Sequence, residues 1–223
     1  MPWLAAGWRL FLAAPAIWVA VSIVLLLIHG LLGLVPVLGG LASLVLMPVL
    51  AGGLMAGCAA VDRGEGLRFD CLLVGFRDNT RALVTLGLLQ LAGFGAVGLL
   101  VFAIGGGAMM GSMMGHGVGG GLGATIALGG LLFASLLAML LLVPLTMAIW
   151  FAPALVMLSG MAPLAAMKAS LDGCMRNWLP FLVYGIVLFV LCILAILPAG
   201  LGLLVLVPVL TASIYVSYRE IYF

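Results

Sequence analysis

LFLAAPAIWVAVSIVLLLIHGLLGLVPVLGGLASLVLMPVLAGGLMAGCAAV, residues 10–61, runs for 52 positions without a charged side chain. A helix crosses the hydrocarbon core of a bilayer in about 20 apolar residues, so this stretch holds two crossings and a turn. Pro36, Gly39 and Gly40 sit near its middle. Proline lacks an amide donor and glycine loosens the backbone, so the turn is expected there. A secretory leader would have an apolar region of only about 7–15 residues, and the run is far longer. The expected helices are 11–33 and 38–61.

Two more uncharged tracts follow, Ala82 to Met167 and Asn177 to Tyr218. The first predicts helices over 82–104 and 124–152, the second stopping near Pro153. Between them lies GGGAMMGSMMGHGVGGG, at 105–121, expected to be an outer loop over 105–123. The last tract predicts helices over 180–197 and 203–218, broken at Pro198-Ala199-Gly200. The expected fold is an all-α polytopic membrane protein: six transmembrane helices in three hairpins, forming one integral membrane domain over 1–223.

Composition agrees. The 223 residues are 67% hydrophobic and 6% charged, with mean hydropathy +1.47, whereas a soluble domain carries about 25% charged residues. Lipid is the expected solvent and partner. No basic stripe supports nucleic-acid binding.

The few charges set an orientation. Arg9, Arg63, Arg68, Arg77, Arg81, Lys168, Arg176 and Arg219 all fall on one side of a six-span arrangement. The excess of Lys and Arg in cytoplasmic loops puts that side, and both termini, in the cytoplasm. Trp3, Trp8, Trp178, Tyr218 and Tyr222 lie near the same face and are expected to anchor at the interface.

The text also repeats. LVLMPVL at 44–50 returns as LVLVPVL at 204–210 and, more loosely, as LLLVPL at 140–145. Pro48, Pro144 and Pro208 thus share a place in the second helix of each pair. Gly7-Trp8-Arg9, Gly75-Phe76-Arg77-Asp78-Asn79 and Gly173-Cys174-Met175-Arg176-Asn177 open the three units. The expected unit is an interfacial segment followed by a hairpin, used three times in one orientation.

Two interfacial segments read as amphipathic helices, over 67–81 and 164–178. In the first, Phe69, Leu72, Leu73 and Phe76 share a face. In the second, Leu164, Met167, Leu171, Met175 and Trp178 do. Their charged faces, with the connecting loop, supply contact candidates for a protein partner at the cytoplasmic face: Arg63, Glu65, Arg77, Asp78, Asn79, Lys168, Asp172, Arg176 and Asn177. A plain solvated face is the simpler reading of the same charges.

Chemistry-bearing residues are few. The spans carry no Asp, Glu, Lys or Arg, which argues against a proton-coupled pump. His29 and Gln90 are their notable polar groups. Met109, Met110, Met113, Met114 and His116 offer soft ligands suited to Cu(I), although a flexible Gly/Met loop is the simpler reading of the same residues. Cys58, Cys71, Cys174 and Cys192 form no C-x-x-C pair and read as small apolar residues. No catalytic constellation and no cofactor motif appears, so no enzyme is expected. Gly53 and Gly57 form a G-x-x-x-G that permits close helix packing.

Longer matches carry a resemblance: GWRLF at 7–11, GC at 57–58 with VDRGE at 61–65, GFRDNT at 75–80, WFAPAL at 150–155 and KASLDGCMRNWLPF at 168–181. On these the chain resembles a family of uncharacterised proteobacterial multi-pass inner-membrane proteins over nearly its whole length. The resemblance implies a polytopic protein and supplies no catalytic residues. In layout alone, the segment-plus-hairpin plan is similar to the membrane regions attached to some glycerophosphodiester phosphodiesterases, whose soluble catalytic domain has no counterpart in this sequence.

The first expectation for function is a non-enzymatic scaffold or accessory protein. The alternatives are a transporter or lipid-handling protein for an apolar solute, and copper handling by the Met-rich segment. A cleft lined by Gln90 or His29 would favour the second.

Overall fold

The computed structural model describes residues 2–116 and 121–223, and their side chains except at 2, 112–116, 121–124 and 126. Ten helices and no strand occur among the described residues: α1 Pro2–Ala13, α2 Pro15–Gly33, α3 Leu38–Asp62, α4 Cys71–Arg77, α5 Thr80–His116, α6 Gly121–Trp150, α7 Ala152–Ser159, α8 Pro163–Arg176, α9 Trp178–Ile196 and α10 Leu203–Tyr222. Six candidate membrane spans lie among the described residues: α2, α3, the Thr80–Gly111 part of α5, Ala127–Ser159 of α6 and α7, α9 and α10. The fold is all-α and polytopic, as expected.

Several boundaries move, each for a local reason. The segment expected as one helix over 11–33 breaks at Ala14, which precedes Pro15 and takes an extended φ of −153°. The proline ring pushes its predecessor out of helical geometry. Trp18 braces the corner, its indole N–H donating to the Leu10 carbonyl at 3.1 Å. Residues 2–13 thereby become a separate helix. The interfacial helix expected over 67–81 contracts to Cys71–Arg77, because Asn79 turns left-handed (φ 57°) and starts the next helix.

The loop expected over 105–123 is largely helix. α5 continues to His116 and α6 begins at Gly121; residues 117–120 lie outside the described ones. Apolar surroundings leave backbone groups no water to bind, so the helical ladder persists through glycine. The glycines also let α5 and α6 approach: Gly105 lies against Leu131 and Ala134, and a β-carbon on Gly130 would collide with Ala108.

The short helices organise the packing. α4 lies on α3, α8 on α6, and α1 on α10. Glycine makes two of these approaches possible. A β-carbon at Gly75 of α4 would strike the Val49 carbonyl of α3, and one at Gly7 of α1 would lie 2.8 Å from the Val209 carbonyl of α10. The large apolar faces read from the sequence point elsewhere. Phe69, Leu73 and Phe76, with Leu164, Met175 and Trp178, are exposed, while Cys71, Leu72 and Gly75, with Ala166, Ser170, Gly173 and Cys174, are buried. Leu72 apart, small residues face protein and large ones are left for lipid.

α3 and α10 form the centre: 56% and 44% of their apolar stretches are buried, against 6–17% in the other spans. The shared core joins Trp18, Leu50, Leu83, Phe151, Cys174 and Tyr215 near the charged ends of the helices. There Arg219 pairs with Asp62, which also accepts from the Tyr215 hydroxyl at 3.1 Å. Two expected interface anchors belong to this packing instead. Trp3 is buried and donates to Glu220 at 2.6 Å; Tyr218 is buried, its hydroxyl 2.7 Å from that of Ser159. Trp8 and Trp178 remain exposed.

Candidate functional site

The chemistry-bearing side chains gather beside α3. Met47 and Ala51, one turn apart around Pro48, border two apolar clefts. At 1.5 Å per residue, Ala51 stands about 16 Å from the Asp62 end of α3, near the middle of a core about 30 Å thick.

The first cleft opens between α3, α5 and α6 and encloses about 310 Å³. Gln90, Phe94, Thr146, Ile149 and Trp150 complete its wall. The Gln90 carbonyl oxygen and the Trp150 indole N–H are both buried and lack a hydrogen-bond partner. Thr146 has already donated its hydroxyl to the Val143 carbonyl at 2.8 Å. No charged residue lines this cleft.

The second cleft, about 320 Å³, opens between α2, α3 and α10. Ser22, His29 and Thr211 are its polar members. Ser22 donates to the Trp18 carbonyl at 3.0 Å and Thr211 to the Val207 carbonyl at 3.0 Å. His29 Nδ1 lies 2.8 Å from the Leu25 carbonyl. A carbonyl can only accept, so this geometry assigns the proton to Nδ1 and leaves Nε2 as an acceptor in the neutral ring.

Trp150 is held by a break in its own helix. α6 ends at Trp150, close to the stop expected near Pro153, and after a break at Phe151 the chain resumes as α7, which takes Pro153 into its first turn. The Phe151 amide donates to the Ser170 hydroxyl at 2.9 Å, and that hydroxyl donates to the Met147 carbonyl at 2.6 Å. In an unbroken helix Phe151 N–H would bind Met147 directly. Ser170 from α8 fills the gap, with Cys174 Sγ 3.6 Å from the same carbonyl. The Trp150 ring then meets Phe181 and Tyr184 edge-on, at 6.3 and 6.5 Å.

The expected contact residues divide into two groups. Arg63, Glu65 and Asp78 surround one shallow pocket with Arg68, Asp70 and Cys71. Arg63 grips Glu65 through two bonds, at 2.7 and 3.1 Å, and holds its carboxyl below the usual range. Lys168, Asp172 and Arg176 lie on α8, with Asp172 and Arg176 paired at 2.9 Å. Arg77, Arg81 and Lys168 form no ion pair among the described residues. Asn79 and Asn177 stand at helix junctions: Asn79 donates to the Val156 carbonyl at 3.4 Å and Asn177 to the Gly173 carbonyl at 3.0 Å.

Of the soft-ligand candidates, Met109 and Met110 lie exposed on α5. The side chains of Met113, Met114 and His116 lie outside the described residues. The four cysteines are free. Burial pushes the Cys71 and Cys174 thiols up to about 11.

Gln90 and His29 were legible as isolated polar residues in apolar text. Trp150 and Ser170 were not, because a tryptophan at a span end and a serine in an amphipathic helix are ordinary. The only signal for Ser170 was its place in the small row Ala166-Ser170-Gly173.

No family model and no solved structure matches the chain. A protein of Burkholderia thailandensis described as "Probable inner membrane protein" is 33% identical over 238 positions, covering 99% of this chain and 88% of its own length. With six apolar spans in place, the chain belongs to that family of proteobacterial multi-pass inner-membrane proteins.

Proposed function

We propose that this protein is a non-enzymatic lipid-handling protein of the inner membrane, holding an apolar solute or lipid tail in the clefts beside α3. The observation that carries this reading is the pair of apolar clefts sharing Met47 and Ala51, each with a polar group at its wall, Gln90 in one and His29 in the other. Their volumes suit small-molecule sites, which run from about 300 Å³ upward and combine apolar walls with few polar groups.

Ala51 borders both clefts, so one substitution tests both. Protein carrying Ala51→Trp, purified in mild detergent, is compared with the unaltered chain by mass spectrometry of co-purifying lipid. The reading expects a lipid class enriched over the bulk membrane, with at least fivefold loss of enrichment in the variant. Co-purified lipid that matches the bulk composition in both proteins refutes it.

The charged helix ends support a cytoplasmic placement of both termini, through the positive-inside bias. Reporter fusions at either terminus, active only in the cytoplasm, test that. The layout also supports three copies of one unit. Two of the three opening glycines repeat one contact: Gly7 and Gly75 meet Val209 and Val49, the residues that follow Pro208 and Pro48, whereas Gly173 meets Tyr222.

A scaffold reading rests on a different observation, the cations at the charged end: among the described residues Arg77, Arg81 and Lys168 form no ion pair, and Arg176 pairs with Asp172 of its own helix. It requires that charge reversal of Arg77 and Arg176 abolish rescue of a deletion phenotype. Full rescue, with no partner captured in mild detergent, discards it.

A further inference from the structure

We infer that the cleft between α3, α5 and α6 is built for a neutral lipid carrying a free hydroxyl, the chemistry of a diacylglycerol, with Gln90 and Trp150 as its polar contacts. This rests on the lipid-handling reading above and names the ligand class for one of its two clefts.

Two buried atoms on this wall have complementary needs. The Gln90 carbonyl oxygen requires a donor, and the Trp150 indole N–H requires an acceptor. Both stand unpaired, on different helices, in side chains that line one cavity of about 310 Å³. Buried polar groups in native proteins are nearly always paired, and an exception points to an absent partner. Thr146, which brings a hydroxyl to the wall, has spent its donor on Val143, and the Trp150 ring is packed against Phe181 and Tyr184. A hydroxyl is the smallest group that donates and accepts at once.

The surroundings select among hydroxyl-bearing molecules. No cation lines the cleft, so a phosphate or carboxylate would enter without a counter-charge, which is expensive at membrane depth. Gln90 lies ten residues into α5, about 15 Å along the helix from Thr80. A charged headgroup stays at the interface, whereas a neutral glyceride hydroxyl can descend that far. The rest of the wall, including Met47, Phe94 and Ile149, is apolar and suits a chain. The His29 cleft differs in offering an acceptor alone through Nε2.

The test uses the full chain in phosphatidylcholine nanodiscs, with photoactivatable dioleoylglycerol competed by unlabelled dioleoylglycerol or its O-methyl ether. The ether keeps the chains and an acceptor oxygen but cannot donate. The free alcohol is expected to compete about five- to tenfold better, the lower end of the range for one hydrogen bond that would otherwise leave a buried acceptor unpaired. Gln90→Leu should bring that ratio below about twofold while both lipids still bind. Trp150→Phe, which keeps the ring packing, should weaken both competitors about equally, because it removes a donor that either oxygen can use.

Equal competition in the unaltered chain, as expected where ordered water fills the cleft, overturns the hydroxyl assignment. A preference that survives Gln90→Leu does so too. If the alcohol and the ether compete equally in the unaltered chain and Ala51→Trp abolishes the labelling, the cleft reading stands without the hydroxyl. If labelling is the same in Ala51→Trp as in the unaltered chain, the lipid-handling reading falls with it.

Discussion

Replacing Ser170 by alanine removes one oxygen and unmakes two bonds. The Phe151 amide loses its acceptor at 2.9 Å, and the Met147 carbonyl loses its donor at 2.6 Å. Phe151 and Ser170 are fully buried, so water cannot replace either bond. A buried donor left unpaired costs about 1–3 kcal/mol. The Met147 carbonyl fares better, because Cys174 Sγ remains 3.6 Å away. The expected loss is therefore about 2–3 kcal/mol, mostly from the orphaned amide. Side-chain hydrogen bonds between membrane helices average only about 0.6 kcal/mol when removed, so the expected value is distinguishable from an ordinary contact. Equilibrium unfolding in mixed micelles, followed by circular dichroism, measures it. The control is Pro153→Ala, which removes the ring that obstructs the Ile149 carbonyl and lets Phe151 bond Met147 directly. In that background Ser170→Ala should cost about 1 kcal/mol less, read as a double-mutant coupling. A loss below about 0.6 kcal/mol, or no coupling to Pro153, would show that Ser170 does not close the gap between α6 and α7.

Four further outcomes follow from the packing and the buried groups. Gly75→Ala drives a β-carbon into the Val49 carbonyl and should destabilise the chain by about 1–3 kcal/mol, whereas Gly95→Ala, inside a helix with open space around it, should be neutral or stabilise it by up to about 1 kcal/mol; the same unfolding assay separates them. The Cys71 and Cys174 thiols, pushed up to about 11 by burial, should alkylate at pH 8 at least about 100-fold more slowly in folded than in denatured protein; comparable rates would refute the burial. Because those thiols hold their protons more tightly when folded, stability should be flat below pH 9 and fall between about 9 and 11, visible as a drop in melting temperature over that window. Asp62→Asn weakens the pairing with Arg219 and Tyr215 across α3 and α10; partial exposure limits the cost to about 1 kcal/mol, and a neutral effect would mean that the apolar contacts alone hold those ends together.

Much of the architecture was legible in the one-dimensional text because membrane solvation acts on single segments. A run such as residues 10–61 has no charge to spend on water, so its crossing does not depend on what it packs against. Pro36 and Pro198-Ala199-Gly200 marked two turns because proline and glycine act on their own neighbours. Gln90 and His29 stood out for the same reason: polar atoms in an apolar span need partners wherever they end up.

Tertiary contact decided the rest. The Gly/Met tract over 105–116 has a loop's composition, yet it is helical, because glycine's cost in a helix is outweighed once water is absent and a close-packed neighbour is gained. The faces of α4 and α8 followed the same logic. Their large apolar side chains were legible as interfacial faces, but the contacts to protein are made by Gly75, Ala166, Ser170 and Gly173, whose smallness matters only once a neighbouring helix is in place. The break at Phe151 depends on a hydroxyl supplied nineteen residues later. The pairing of Gln90 with Trp150 at one cleft arises from two helices meeting, and no local property of either residue foretells it.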